Sequence, residues 1–269
     1  MASKLVACSL HPVALTMSES LAPTEPIPAN PDPGLTAGQR RIVAIFEILL
    51  CSSVPTQLVL GYALTLGGWS PTTANGALSM PYVLTLSLAD TLLLIVLMVS
   101  LMRVHGEDAT GLWLGERSVR REALIGLALI PAIFISVVVL LNALRLLFPS
   151  LHNVASNPLE ALAGDSVEQA ALFIVLVIVA GGIREELQRA FLLHRFEQHL
   201  GGARVGVVVL STAFGLGHYV QGWDAVVTTG VLGAFWAVLF LDRRSSIAPV
   251  VSHAGFNSLE ILRVVIAPR

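Results

Sequence analysis

Three groups of residues in the C-terminal part of this 269-residue chain combine acid, imidazole and amide side chains at helical spacing. The groups are Glu185-Glu186 with Arg189, Phe214 with His218, and His253 with Asn257. Residues four apart lie on one face of a helix, so each group can present its side chains in one direction. One carboxylate and two imidazoles can activate a water molecule, either as a general base with its helpers or as metal ligands.

Two forms of this chemistry remain open, and both hydrolyse an amide bond. In a His₂Glu zinc centre, Glu185, His218 and His253 bind the metal and lower the pKa of its water to about 7. Without a metal, one glutamate deprotonates a water held by His218, while His253 and Asn257 donate hydrogen bonds to the developing oxyanion.

The two adjacent glutamates cannot share one role. Neighbouring side chains on a helix diverge by about 100°, so only one of them can point straight at His218. We favour Glu185 as the reactive carboxylate and leave Glu186 free to bond to a neighbouring helix. Arg189 is four residues after Glu185 and can hold a carboxylate in its ionised form.

The composition around these groups is that of a membrane protein. Hydrophobic residues make up 55% of the chain and charged residues only 13%, with a mean hydropathy of +0.77. Water-soluble domains carry about a quarter charged residues. The net charge of −2 and the dispersed basic residues offer no surface for nucleic acid. The two cysteines form neither a disulfide framework nor a CxxC metal site.

Apolar stretches long enough to cross ~30 Å of hydrocarbon as helices predict the elements that position the site. They lie near 42–65, 82–102, 123–147, 168–193, 204–220, 225–241 and 246–266. We therefore predict an all-α, polytopic transmembrane helix bundle of about seven spans over residues 41–269. Pro55 and Pro131 are expected to kink the first and third spans. Residues 1–40, rich in proline, are predicted to be a disordered tail.

Arginine placement predicts the orientation of this bundle. The connections 103–122, 194–204 and 242–246 carry arginines, whereas 66–81, 148–167 and 221–224 contain no Lys or Arg. Because positive residues concentrate on the cytoplasmic side, we place the N-terminus and the Arg-bearing connections in the cytoplasm. Basic residues that are nearly all arginine are typical of a GC-rich bacterial genome, which suggests a bacterial cytoplasmic membrane.

Helix geometry predicts that the three groups lie at one depth. Glu185 precedes the predicted turn at Gly201-Gly202 by sixteen residues, and His218 follows it by sixteen, so antiparallel helices place both at the same height. His253 lies seven residues beyond Ser246, where the last span enters from the cytoplasmic side, which also places it about 10 Å deep. We expect one site about 10 Å below the cytoplasmic surface, open to cytoplasmic water.

Other polar residues are interpreted as structural. Asp90 and Glu47 lie in the first two spans and are assigned to packing or to the lining of a cavity. The polar run 194–199 is predicted to be the solvated tip of the hairpin. The glycine pair 181–182 is interpreted as a close approach between helices.

The three groups resemble the three motifs of the CPBP family, the CAAX proteases and bacteriocin-processing proteins. These are multi-helix intramembrane endopeptidases that include the type II CAAX prenyl proteases. The resemblance covers residues 168–266 and includes the surrounding Arg189-Ala-Phe-Leu-Leu and Pro249-Val-Val-Ser-His. It implies Glu185 as the water-activating carboxylate, paired with Glu186 and Arg189, His218 and His253 as essential histidines, and Asn257 as a helper at the oxyanion.

One departure from the family pattern affects the first motif. The family places three residues between the paired glutamates and the arginine, whereas only Leu187 and Gln188 intervene here. If Arg189 is the anchor, Arg184 occupies the position of the first glutamate and the usual catalytic carboxylate is lost. If the glutamates are the anchor, the arginine has moved by one residue and activity is retained.

The sequence therefore predicts an intramembrane endopeptidase acting near the cytoplasmic face on a membrane-anchored or lipidated protein or peptide, with or without zinc. Two alternatives remain from other functional classes. One is a catalytically silent immunity or scaffold protein of the same fold. The other is a proton- or metal-coupled carrier in which Glu185, His218, His253 and Asp90 form a relay.

Overall fold

The computed structural model describes residues 34–154, 162 and 166–266. Within these residues the chain is helical, and no named strand is present. The elements are α1 (Ala37–Leu50), α2 (Val54–Leu66), α3 (Met80–Val104), α4 (Ala109–Leu114), α5 (Val119–Leu147), α6 (Val167–Leu176), a π-helix (Val177–Arg184), α7 (Glu185–His199), α8 (Ala203–Leu216), α9 (Trp223–Arg243) and α10 (Ile247–Ile266). The predicted all-α, polytopic bundle is confirmed.

Helices occupy all seven of the predicted apolar stretches, but they are not equally long or apolar. In the described part of the chain, four are long and apolar enough to cross a membrane: α3, α5, α9 and the continuous rod Val167–His199 formed by α6, the π-helix and α7. The pair α1–α2, bent by 40°, would be a fifth span, and α8 is a shorter apolar helix of 14 residues.

The first span bends where its sequence predicts a break. The chain leaves α1 at Cys51 and reaches Ser53 with a φ of +68°, a left-handed conformation that ends the helical path. Pro55 then lies in the first turn of α2, where its missing N–H breaks no hydrogen bond. The other expected site, Pro131, lies inside α5, which continues through it as one helix.

The first helix begins at Ala37, four residues before the predicted start of the bundle at residue 41. Thr36 caps it, because its hydroxyl accepts a hydrogen bond from the backbone N–H of Gln39, whose side chain accepts from the Thr36 N–H. The remainder of the predicted tail, residues 1–33, lies outside the described residues.

The outer faces of the bundle are apolar, as expected of a chain in contact with lipid. Large side chains such as Ile42, Leu92 and Ile135 are more than half exposed. An apolar surface of this extent indicates contact with a membrane rather than with water. Together with the span-forming helices, it identifies an integral membrane protein.

Helix α7 lies at the centre of the bundle. On one side Phe191 packs with Leu94 and Met98 of α3. On the other side Ala190 and Leu193 pack with α9 and with partly buried residues of α8. The middle of α7 is therefore packed against α3 on one side and against α8 and α9 on the other.

Glycines allow α10 to approach its neighbours closely. A Cβ atom on Gly182 of the π-helix would lie 2.6 Å from the Cβ of Ala254, and one on Gly126 of α5 would lie 2.8 Å from the Ala248 carbonyl oxygen. Small residues at such contacts let membrane helices pack backbone to backbone. The close approach predicted for Gly181-Gly182 is confirmed, and it brings the start of α7 against α10.

The polar run 194–199 is not a solvated tip, and that prediction was wrong. Arg195 is 2% exposed and binds Glu47 of α1 and both carboxylate oxygens of Glu107, which also pairs with His194. Burial raises the pKa of Glu107, but hydrogen bonds from His194 and Gln198 and the charge of Arg195 lower that pKa to about 2 overall. The partners come from distant parts of the chain, so inspection of the run alone could not reveal them.

Candidate active site

Glu186 is the buried member of the glutamate pair. Its side chain is 1% exposed and both of its oxygens accept hydrogen bonds from Arg189, at 3.1 and 3.2 Å. Nδ1 of His253 lies 2.8 Å from Oε1 of the same carboxylate. Because an ionised carboxylate only accepts hydrogen bonds, Nδ1 of His253 carries a proton. Glu186 thus connects the first motif to the third.

Glu185 is the accessible member of the pair. Its side chain is 21% exposed, and Oε1 accepts a hydrogen bond of 3.2 Å from Nη2 of Arg184. Its other oxygen, Oε2, lies 3.9 Å from Nε2 of His253. A water placed beside that gap can contact both atoms at about 2.8 Å, an ordinary hydrogen-bond distance.

His253 is held by an aromatic neighbour that the sequence analysis did not identify. Its ring stacks on the indole of Trp236, with centroids 3.7 Å apart and planes 16° apart. The indole N–H donates to the hydroxyl of Ser252 at 3.2 Å, which fixes the orientation of the indole. Trp236 is on α9, and nothing in its local sequence distinguishes it from a residue that only packs.

His218 belongs to the second motif and lies just beyond the end of α8. Its Nδ1 is 2.8 Å from the carbonyl oxygen of Phe214, one turn earlier. Since a carbonyl only accepts, Nδ1 donates, and in the neutral ring the lone pair is on Nε2. His218 can therefore accept a hydrogen bond from a water molecule.

The ring of Phe214 lies between the three motifs. It is 4.8 Å from the His218 ring, 6.2 Å from the His253 ring and 4.7 Å from the guanidinium carbon of Arg189. The first two distances place the two imidazoles no more than about 11 Å apart. Residues of the three motifs thus lie around one aromatic ring, although no direct contact joins the side chains of His218 and Glu185 among the described residues.

A cavity of about 490 Å³ reaches the site between α5, α9 and α10. His218 and Asn257 line it at the level of the site, and the Nδ2 of Asn257 also lies against Gly181 of the π-helix. Arg145, His152 and Asp224 line it farther out, at the ends of the helices away from the Arg-bearing connections. The sequence predicted a pocket open on the side of those connections, whereas this cavity is on the opposite side.

The predicted zinc ligands Glu185, His218 and His253 are not grouped closely enough to fit a zinc centre, and zinc stays a prediction. A catalytic zinc site needs three protein ligands around one point, at roughly 2 Å from the metal, with water as the fourth ligand. Across the described residues, no group of three or more His, Cys, Asp or Glu side chains is arranged to hold a metal ion. Glu185 and His253 are close enough to serve as a pair, but His218 does not complete the set, so no catalytic step is assigned to a metal.

The contacts of the glutamate pair bear on the alignment of the first motif. Glu186 binds Arg189 at a spacing of three residues, in place of the four that the family pattern implies. Arg184, by contrast, points to Asp90 and to Glu185 rather than to His253. This arrangement fits the alignment in which the glutamates are the anchor and the arginine has moved by one residue.

Residues 167–259 match the family model described as Type II CAAX prenyl endopeptidase Rce1-like. The matched segment runs from the start of α6 into α10 and contains all three motifs. No curated protein and no solved structure matches the chain.

Proposed function

We propose that the protein is an intramembrane endopeptidase that cleaves a membrane-anchored or lipidated protein or peptide, because residues 167–259 match the CAAX protease family model. The observation that best supports this proposal is the geometry of Glu185. This carboxylate is accessible and held by one oxygen, and its other oxygen faces Nε2 of His253 across 3.9 Å. A carboxylate in this position can activate a water molecule.

In the proposed reaction, Glu185 takes a proton from a water that donates its second hydrogen bond to Nε2 of His218. The oxygen of that water attacks the carbonyl carbon of the substrate, and an oxyanion forms. Collapse of the tetrahedral intermediate breaks the C–N bond, and Glu185 returns the proton to the leaving amine. The balance is the addition of one water to one peptide bond.

The oxyanion would be stabilised by His253 and Asn257. For Nε2 of His253 to donate, the ring must be protonated on both nitrogens, and in that state Glu186 accepts the hydrogen bond from Nδ1. Trp236 keeps the ring plane fixed. Removing one donor to an oxyanion typically costs about 10²–10³ in kcat.

The reaction proposed here needs no metal, although the sequence also allowed a zinc enzyme. Metal analysis of the purified protein, together with activity before and after chelation, separates the two. We expect no stoichiometric zinc and no loss of activity. Loss that is restored by zinc would contradict the metal-free mechanism while leaving the endopeptidase proposal intact.

The first test of the function is cleavage by the full chain in liposomes. A fluorogenic, farnesylated peptide is a suitable probe, with the same peptide lacking its lipid for comparison. Glu185→Gln removes the general base, so we expect kcat to fall by about 10²–10⁴-fold. Glu168→Gln is the matched control, because Glu168 is an exposed glutamate on the same continuous rod and should leave kcat unchanged.

Three outcomes would contradict this proposal. Unchanged cleavage by Glu185→Gln would exclude this residue as the base. The protein would be a scaffold if two results were found together. The folded wild type would cleave no anchored peptide, and the variant with His218 and His253 both replaced by alanine would still retain a bound membrane partner. Flux of a solute or metal into the liposomes without cleavage would instead indicate a carrier.

A further inference from the structure

Arg184 is a buried charged residue that has no role in the reaction proposed above. It is the last residue of the π-helix, immediately before Glu185, and is 8% exposed. An ionisable side chain in the membrane is energetically costly, so one that persists usually has a partner and a role. The partners of Arg184 indicate what that role is.

On one side Arg184 is anchored by a carboxylate that is itself firmly held. Asp90 of α3 is completely buried and accepts a hydrogen bond of 2.8 Å from Nη1 of Arg184. The hydroxyl of Thr56 and the side-chain amide of Gln57, both on α2, also donate to Asp90. Three donors from two helical segments, α2 and the π-helix, therefore fix this carboxylate.

On its other side the same guanidinium binds the proposed general base. Nη2 of Arg184 donates to Oε1 of Glu185 at 3.2 Å, while Nε has no hydrogen-bond partner among the described residues. The guanidinium is thus held by its two terminal nitrogens, between one fixed carboxylate and one accessible carboxylate. Because both carboxylates bind the same guanidinium, the fixed position of Asp90 also fixes the position of Glu185.

We propose that Arg184 is a positioning residue for Glu185 and that Asp90 is its anchor, so that α2 and α3 take part in the active site. This inference rests on the proposed endopeptidase function. With Oε1 bound to Arg184, only Oε2 is directed at the space beside His253. Without Arg184, the Glu185 carboxylate can swing onto Nε2 of His253 and form a direct ion pair, which leaves no place for the attacking water.

A merely structural role for the Asp90–Arg184 pair makes a different prediction. Removing one partner of a buried ion pair leaves an uncompensated charge and is strongly destabilising, whereas replacing both with neutral groups of similar volume is often tolerated. The double variant Asp90→Asn/Arg184→Gln therefore separates folding from positioning. A pair that only ties helices together would retain full activity in this variant.

The experiment measures kcat, KM and thermal unfolding of the full chain in liposomes with the farnesylated peptide. We expect the Asp90→Asn/Arg184→Gln variant to unfold near the wild-type temperature. Its kcat should fall about 10- to 100-fold because the general base is misplaced, whereas KM should change little because the substrate still binds. Arg184→Lys should recover part of kcat. Arg244→Gln, which removes an exposed arginine paired with Glu197, is the control and should leave kcat unchanged.

Two further measurements keep this proposal distinct from the proposed function. Adding Arg184→Gln to Glu185→Gln should cause no additional loss of kcat, because both changes affect one group. Labelling of Glu185 by a water-soluble carbodiimide, followed by mass spectrometry, should be several-fold faster in the Asp90→Asn/Arg184→Gln variant than in the wild type. If the wild type shows no peptidase activity but Glu185 is still labelled faster in the double variant, the proposed function is refuted and the Arg184–Glu185 contact is supported.

Wild-type kcat in the folded double variant, or unchanged labelling of Glu185, would overturn the positioning role and leave Asp90–Arg184 as a tie between helices.

Discussion

At the scale of single residues, the two adjacent glutamates are separated by their surroundings rather than by their chemistry. Glu186 is fully buried and bound by Arg189 and His253, so its carboxylate is committed to holding other groups in place. Glu185 is partly exposed and has one oxygen free for water. Carboxylates with such different environments commonly divide the roles of support and reaction in an active site.

The supporting role of Glu186 predicts a large effect on stability when its counter-ion is removed. Arg189→Met would leave a carboxylate that is 1% exposed with only His253 as a partner, and losing one member of a buried ion pair costs roughly 3–5 kcal/mol. Denaturation of the purified protein in detergent measures this loss. Arg189→Met/Glu186→Gln should regain much of it, and a single variant as stable as the wild type would contradict the assigned pairing.

At the scale of elements, the π-helix positions the glutamate pair against α10. Its Gly182 contacts Ala254, one residue after His253, so any side chain at this position forces the two segments apart. The segment between α6 and α7 thus sets the distance from Glu185 to Nε2 of His253. π-helical turns within α-helices often occur at functional sites, and this one ends directly before the proposed base.

Gly182→Ala should therefore reduce activity through geometry alone. The added methyl group would lie 2.6 Å from the Cβ of Ala254, well inside van der Waals contact, and we expect kcat to fall about 10²-fold as the site widens. Gly230→Ala on α9 is the matched control, because its nearest neighbour would be 3.5 Å away. Peptide cleavage by both variants measures the effect, and equal activities would show that the contact does not set the site.

The sequence reveals the residues that interact within one helix more readily than those that interact between helices. A spacing of four identified His218 and its neighbour Phe214, because local geometry follows from the chain itself. Trp236 and the anchor role of Asp90 depend on how α9 and α3 are rotated toward the site, and apolar membrane helices carry little periodic signal for rotation. The charge of Asp90 within an apolar stretch was the available signal, and it indicated importance without naming its partner.

At the scale of the whole molecule, the two ends of the bundle differ in charge and in access to the site. Arg117, Arg243 and Arg244 cluster at one end, where Arg243 binds Glu122 and Arg117 binds the Arg243 carbonyl. The cavity is lined at the other end by His152 and its neighbours. If arginine-rich connections face the cytoplasm, as is general in membrane proteins, the cavity opens on the opposite face of the membrane.

This geometry makes a prediction that replaces the expected cytoplasmic access. In a Cys8→Ser background, with Cys51 buried, His152→Cys should react with a membrane-impermeant maleimide added to intact cells, whereas Arg117→Cys should react only after the membrane is opened. Both positions are exposed on the bundle, so the membrane, and not burial within the protein, determines whether the maleimide reaches them. The opposite labelling pattern would place the cavity in the cytoplasm and show that the arginines do not set the orientation. In the expected case, the scissile bond of the substrate must reach the enzyme from the non-cytoplasmic side, and a substrate anchored only in the inner leaflet would be a poor one.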